Sequence, residues 1–81
     1  MINLYTLLDK ASKTTNHPMA FQTTRDAIDG LKQVADDKET ALAKHPEDFE
    51  LYKLGEYNPR EMKFEIFDSP ELVITVSEII Q

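Results

Sequence analysis

The sequence predicts an α+β domain in which one main helix packs on a small antiparallel sheet, in the order β-loop-α-β-β-β. Three observations carry that prediction. Residues 23–37, "TTRDAIDGLKQVADD", repeat apolar side chains at helical spacing. Residues 62–67, "MKFEIF", alternate strictly between apolar and polar. The Asn58-Pro59 pair separates that run from the strand-like 49–57, which suggests an antiparallel hairpin.

The elements follow in order. "INLYTLL" at 2–8 mixes β-branched, aromatic and leucine residues over a length that suits a strand. Residues 10–24 are rich in Thr, Ser and Asn and read as a long loop, with a short extended piece at 19–21. Thr23 or Thr24 can cap the helix, and Asp26 stands three residues after Thr23 in capping-box spacing. Ala27, Ile28, Leu31, Val34 and Ala35 form the apolar stripe, and Gly30 marks either a weak point or a close packing contact. "KETALAK" fits a further helical turn or a linker. Pro46 turns His45 away from helical geometry. On the strand 49–57, Phe49, Leu51 and Lys53 share one face and Leu54 points to the other. Alternation sets Met62, Phe64 and Ile66 inward. "DSP" at 68–70 reads as another turn, and "ELVITVSEII" as a last strand, or a strand followed by a terminal turn.

Length and charge narrow the function. Eighty-one residues make one domain, too small to enclose a deep cofactor cavity without a second subunit. There is no cysteine, which excludes thiolate metal sites, disulfides and thiol nucleophiles and favours an intracellular protein. The N-terminus lacks a basic region and its apolar run stops at Asp9, so neither a signal peptide nor a membrane span is expected. Residues 1–44 carry six cations and six anions, whereas 45–81 carry three cations and nine anions. The second half therefore repels phosphate, and any nucleic-acid contact belongs to the first.

Residues 10–25 contain no acid. Lys10, Lys13 and Arg25 there, with Phe21 for base stacking and Lys32 nearby, are the candidate contacts to single-stranded DNA, against the plainer reading of a solvated loop. His45, Glu47 and Asp48 gather three metal-capable groups, but only one other histidine, His17, exists. Both histidines precede proline, so the corner reads as a turn that launches a strand. No phosphate loop, nucleophile elbow or nucleophile–base set is legible, so the expectation is a protein that is not an enzyme and takes no cofactor or metal.

The run "KHPEDFELYKLGEYN" at 44–58, with "INLYTLLD" and "NHPMAFQTTRDA" before it, resembles the small nonstructural proteins of gokushoviruses, single-stranded DNA microviruses of bacteria. The resemblance covers most of the chain and loosens after Phe67. By analogy with the protein-C class of other microviruses, it implies a nonstructural or DNA-binding protein of the host cytoplasm. Such a protein serves the switch to single-stranded DNA synthesis and genome packaging. The implied partners are single-stranded DNA, the replication-initiation protein or the procapsid. The competing expectation is an acidic interaction module for a basic host or phage protein, dimeric through an exposed sheet edge.

Overall fold

The computed structural model describes residues 1–79; Ile80 and Gln81, the end of the expected last element, lie outside the described residues. The chain is α+β, as expected. Strand β1 (Ile2–Asp9) is followed by the short strands β2 (Thr14–Thr15) and β3 (Met19–Phe21). Helices α1 (Thr24–Asp36) and α2 (Ala41–Lys44) come next, then a 3-10 turn at Pro46–Asp48. Strands β4 (Phe49–Asn58) and β5 (Lys63–Thr75) form the hairpin, and α3 (Val76–Ile79) ends the described chain. All pairings are antiparallel, in the order β2-β1-β4-β5, with β3 also on β1.

Local chemistry explains the boundaries. The Thr23 hydroxyl accepts the Asp26 N–H at 3.1 Å and caps α1. The Thr40 hydroxyl likewise accepts the Ala43 N–H, which makes the ambiguous 38–44 segment a separate helical turn. His45 leaves helical geometry at φ −135 and ψ 58, as Pro46 requires.

The expected loop at 10–24 is more ordered than its composition suggests. Asp9 accepts the Ala11 N–H at 3.0 Å, and Lys13 adopts φ 60 to close the tight turn into β2. In the gap between β2 and β3, Asn16 replaces the missing ladder. Its Oδ1 accepts from the Leu7 N–H at 2.9 Å and from the Thr6 hydroxyl at 3.1 Å, and its own N–H donates to the Leu7 carbonyl.

The core lies between one face of the sheet and the helices. Tyr5, Phe49 and Leu51 meet Ala27, Leu31, Ala35, Leu42 and Val76 there. The Tyr5 hydroxyl bonds Thr24 Oγ1 at 2.7 Å, which ties β1 to the start of α1. Val34 departs from the expected stripe and is 48% exposed, because the face buried by α1 is the narrower one of Ala27, Leu31 and Ala35.

Two expectations for the C-terminal half are overturned. Residues 68–70 are not a turn: β5 runs through them. Between the pairs Lys53↔Glu71 and Gly55↔Ile66, Leu54 alone stands opposite residues 67–70, so the extra residues form a large bulge. The inward assignment of Met62, Phe64 and Ile66 is also wrong. Met62 lies in the hairpin connection at φ 55 and is 78% exposed, while Phe64 and Ile66 are 64% and 61% exposed. Asn58 opens that connection as expected, its Oδ1 accepting the Arg60 and Glu61 N–H groups.

Candidate functional site

The sheet has one covered face and one open face. Directly paired residues of an antiparallel ladder share a face, so the register sorts the side chains. Tyr5, Leu7, Phe49, Leu51, Lys53 and Ile74 lie on the helix side. Ile2, Leu4, Thr6, Leu8, Tyr52, Tyr57, Phe64, Ile66 and Leu72 lie on the other. Every helix among the described residues packs on the first face; on the second, Thr6 is buried against Asn16, Ile2, Leu4, Leu8, Tyr52 and Tyr57 are half-buried, and Phe64, Ile66 and Leu72 are exposed.

The open face changes character along its length. Near the Thr6↔Tyr52 pair it is mixed, and a shallow groove of about 360 Å³ lies between Thr6, Leu8, Thr15, Tyr52 and Pro70. There the Tyr52 hydroxyl donates to Glu50 Oε1 at 3.1 Å, and Lys10 Nζ stands 3.9 Å from Glu50 Oε2. The hydrogen bond to the Glu50 carboxylate, helped by desolvation and by that negative charge, raises the Tyr52 phenol above its ordinary value. Beyond Lys53 the hairpin, flanked by Ile2–Leu4 of β1, extends as an arm of which no residue between 55 and 66 belongs to the core. On the open face of this arm Tyr57 stacks on Phe64 with ring centroids 4.7 Å apart, next to Ile66, Ile2 and Leu4. On its opposite face Glu56 pairs directly with Glu65, and Lys53 bridges to Glu56 at 3.7 Å.

The residues expected to contact DNA do not converge. Lys10 and Lys13 belong to the turn after β1, at the end of the sheet that meets Phe49 and Asp48. Arg25 lies in the first turn of α1, and Lys32 is exposed two turns further along. Lys10 pairs with Glu50, and on the helix Asp29 stands four residues after Arg25 and three before Lys32, with Asp36 four after Lys32. Phe21 is half-buried, tilted against Tyr5 at 6.0 Å and close to Gly30, so its ring serves packing.

His45, Glu47 and Asp48 bring three potential ligand atoms within 4.8 Å of one another. The backbone accounts for that proximity: the His45 carbonyl accepts the Asp48 N–H at 3.0 Å and closes the 3-10 turn. The side chains are exposed or half-buried at the surface of a corner that directs the chain into β4.

Sequence reasoning noticed the alternation at 62–66 but missed the open face it builds, together with Tyr52, Tyr57 and Leu72. The signal was the supply of covering elements: one amphipathic helix covers one face of a sheet.

Fold and surface together define a small α+β domain with a helix-covered core and an apolar arm. The lineage follows from the sequence: residues 2–79 match the family model described as Phage ORF5 protein, and the chain belongs to that phage family. No curated protein and no solved structure matches it.

Proposed function

We propose that this phage protein is a non-catalytic binding module that assists viral single-stranded DNA synthesis and genome packaging by docking on a protein of the replication or procapsid complex. The phage family supports the setting. The resemblance of residues 44–58 to gokushovirus nonstructural proteins supports the stage of the viral cycle.

The dispersal of the cations carries the choice of a protein over DNA as the direct contact. Affinity for a phosphate backbone grows with the number of cations that reach it together. Here Lys10 and Lys13 sit at one end of the sheet, Arg25 and Lys32 lie on the helix, and acids stand among them. The net charge is −6, and the excess acid falls in residues 45–81. A basic partner protein matches that surface, and single-stranded DNA does not.

A salt titration tests the choice. Fluorescence anisotropy with a labelled single-stranded oligonucleotide should show no binding at physiological salt. Binding that weakens steeply with salt, with a slope flattened by Lys10→Glu and Lys13→Glu, would overturn the protein-only contact and return the function to direct DNA binding. Affinity capture from infected cells after nuclease treatment should recover a basic phage or host protein.

A further inference from the structure

We infer that two copies of this chain pack open face to open face, with the apolar arm around Tyr57, Phe64 and Ile66 at the centre of the contact. The argument starts from an inversion of pattern. In the body of the sheet the buried apolar side chains, Tyr5, Phe49 and Leu51, point to the helices, and Leu8, Tyr52 and Leu72 share the open face with polar Thr6 and Glu50. In the arm the apolar side chains point the other way: Ile2, Leu4, Tyr57, Phe64 and Ile66 crowd the open face, while Asn3, Glu56 and Glu65 occupy the helix side. A strand exposed on both faces gains nothing from that segregation. It gains only where a second apolar surface meets one face.

Size and charge identify the occupant. At about 3.3 Å per residue and about 4.8 Å between strands, the open face measures about 33 Å along the ten residues of β4 and about 15–20 Å across. That is on the order of 500–660 Å², near the lower end of one partner's share of a standard protein interface. Its exposed centre holds Phe64, Ile66 and Leu72, which are 64%, 61% and 53% exposed. Glu50 is the acid that register sets on this face, and it is held by Tyr52 and Lys10 at one end. Two such faces therefore bring few acids together, Glu50 and the exposed Asp68 that alternation sets between Ile66 and Pro70, although each chain carries −6. A basic partner would find no complementary charge in the arm's open face, whereas a second copy offers a neutral apolar surface of the same dimensions. The contact is isologous and sheet on sheet, with the helices outside.

The edges do not compete for this role. The outer edge of β5 carries Lys63, Glu65, Asp68, Pro70 and Glu71 and is bent by the bulge at 67–70. The opposite edge is split into strands of two and three residues. Face packing therefore replaces the edge pairing expected from the sequence. The inference is independent of the proposed function, since it concerns the apolar face and not the acidic surface.

Sedimentation velocity over a concentration series, on nuclease-treated full-length protein, tests it. The wild type should sediment as a species of twice the 9.3 kDa chain mass at micromolar concentration. Phe64→Glu should weaken the dimer at least about thirtyfold, as loss of a central anchor does, and Leu72→Lys should weaken it independently. Glu65→Lys, on the other face of the same strand, should leave it intact. Circular dichroism should show both open-face variants folded, because neither residue belongs to the core. A wild type that stays monomeric at high concentration, or a dimer indifferent to both open-face variants, would overturn the inference.

Discussion

Replacing Leu51 by alanine deletes three carbons from the centre of the covered face. Leu51 is fully buried, between Leu7 on one neighbouring strand and Ile74 on the other. Transfer of three methylene-sized groups costs about 2.4 kcal/mol at about 0.8 kcal/mol each. The neighbours are fixed by ladder hydrogen bonds and collapse only partly, so a cavity contribution brings the expected loss to about 3–4 kcal/mol. A domain of this length holds about 4–12 kcal/mol in total, so the variant sacrifices a quarter or more of its stability. Urea unfolding followed by far-ultraviolet circular dichroism reads this as a lowered midpoint at constant slope. The thermal midpoint should fall by about 12–30 °C. Ile66→Thr is the control: it lies on the opposite face, is 61% exposed and keeps β-branching. At a concentration where the wild type is monomeric it should cost about 1 kcal/mol or less. Equal losses in the two variants would refute a core confined to the helix side.

The two glycines should respond with opposite signs. A Cβ on Gly55 would run into the Glu65 carbonyl oxygen and lie 2.9 Å from Ile66 Cα, both backbone, so Gly55→Ala should lose about 3 kcal/mol. A Cβ on Gly30 would rest at an ordinary 3.5 Å from the Phe21 ring, so Gly30→Ala should gain about 1 kcal/mol in thermal melts. Among the three tyrosines, Tyr52 should ionise above its ordinary value of 10.0, and Glu50→Gln should lower it in an absorbance titration. The folded-state value is the raised one, so this contact stabilises at pH below 10 and is lost as pH rises through that higher value. An ionisation indifferent to Glu50→Gln would dismiss the interaction.

Much of the fold was legible because local signals agreed with the tertiary outcome. Thr23 supplied a cap, Leu31 and Ala35 the helix stripe, and Asn58-Pro59 the hairpin turn, and each acts over a few residues. The misreadings share one cause, which is that long-range pairing decided them. Asp68-Ser69-Pro70 has turn chemistry, but pairing of β5 with β4 on both sides of it converts the turn into a bulge. Asn16 reads as loop, yet its side chain completes the edge pairing of β1 by bonding Thr6 and Leu7, ten and nine residues back. For the candidate site, charge counting found the acid-free segment 10–25 but could not reveal that Phe21 is spent on Tyr5 and Gly30. Alternation at 62–66 revealed two faces correctly; period two says nothing about which face is covered.

Element lengths settle that last point. Helix α1 has 13 residues, about 20 Å at about 1.5 Å each, while the hairpin runs the ten residues of β4, about 33 Å at about 3.3 Å each. The helix is therefore shorter than the hairpin, and no residue of the arm between 55 and 66 joins the core beneath it. A two-stranded ribbon alone is marginal in water, and Ile2–Leu4 of β1 gives the arm only a third strand. Had the arm been built to face water on both sides, polar residues at 57, 64 and 66 would have served it. Instead it carries Tyr57, Phe64 and Ile66 on one face and Glu56 opposite Glu65 on the other, although like charges across a ladder destabilise it. That like-charge pair is tolerable on a face that remains in solvent with Lys53 beside it. The apolar trio gains its stabilisation only under a cover, and among the described residues no helix is long enough to supply one, which is the ground on which the face-to-face pairing is inferred.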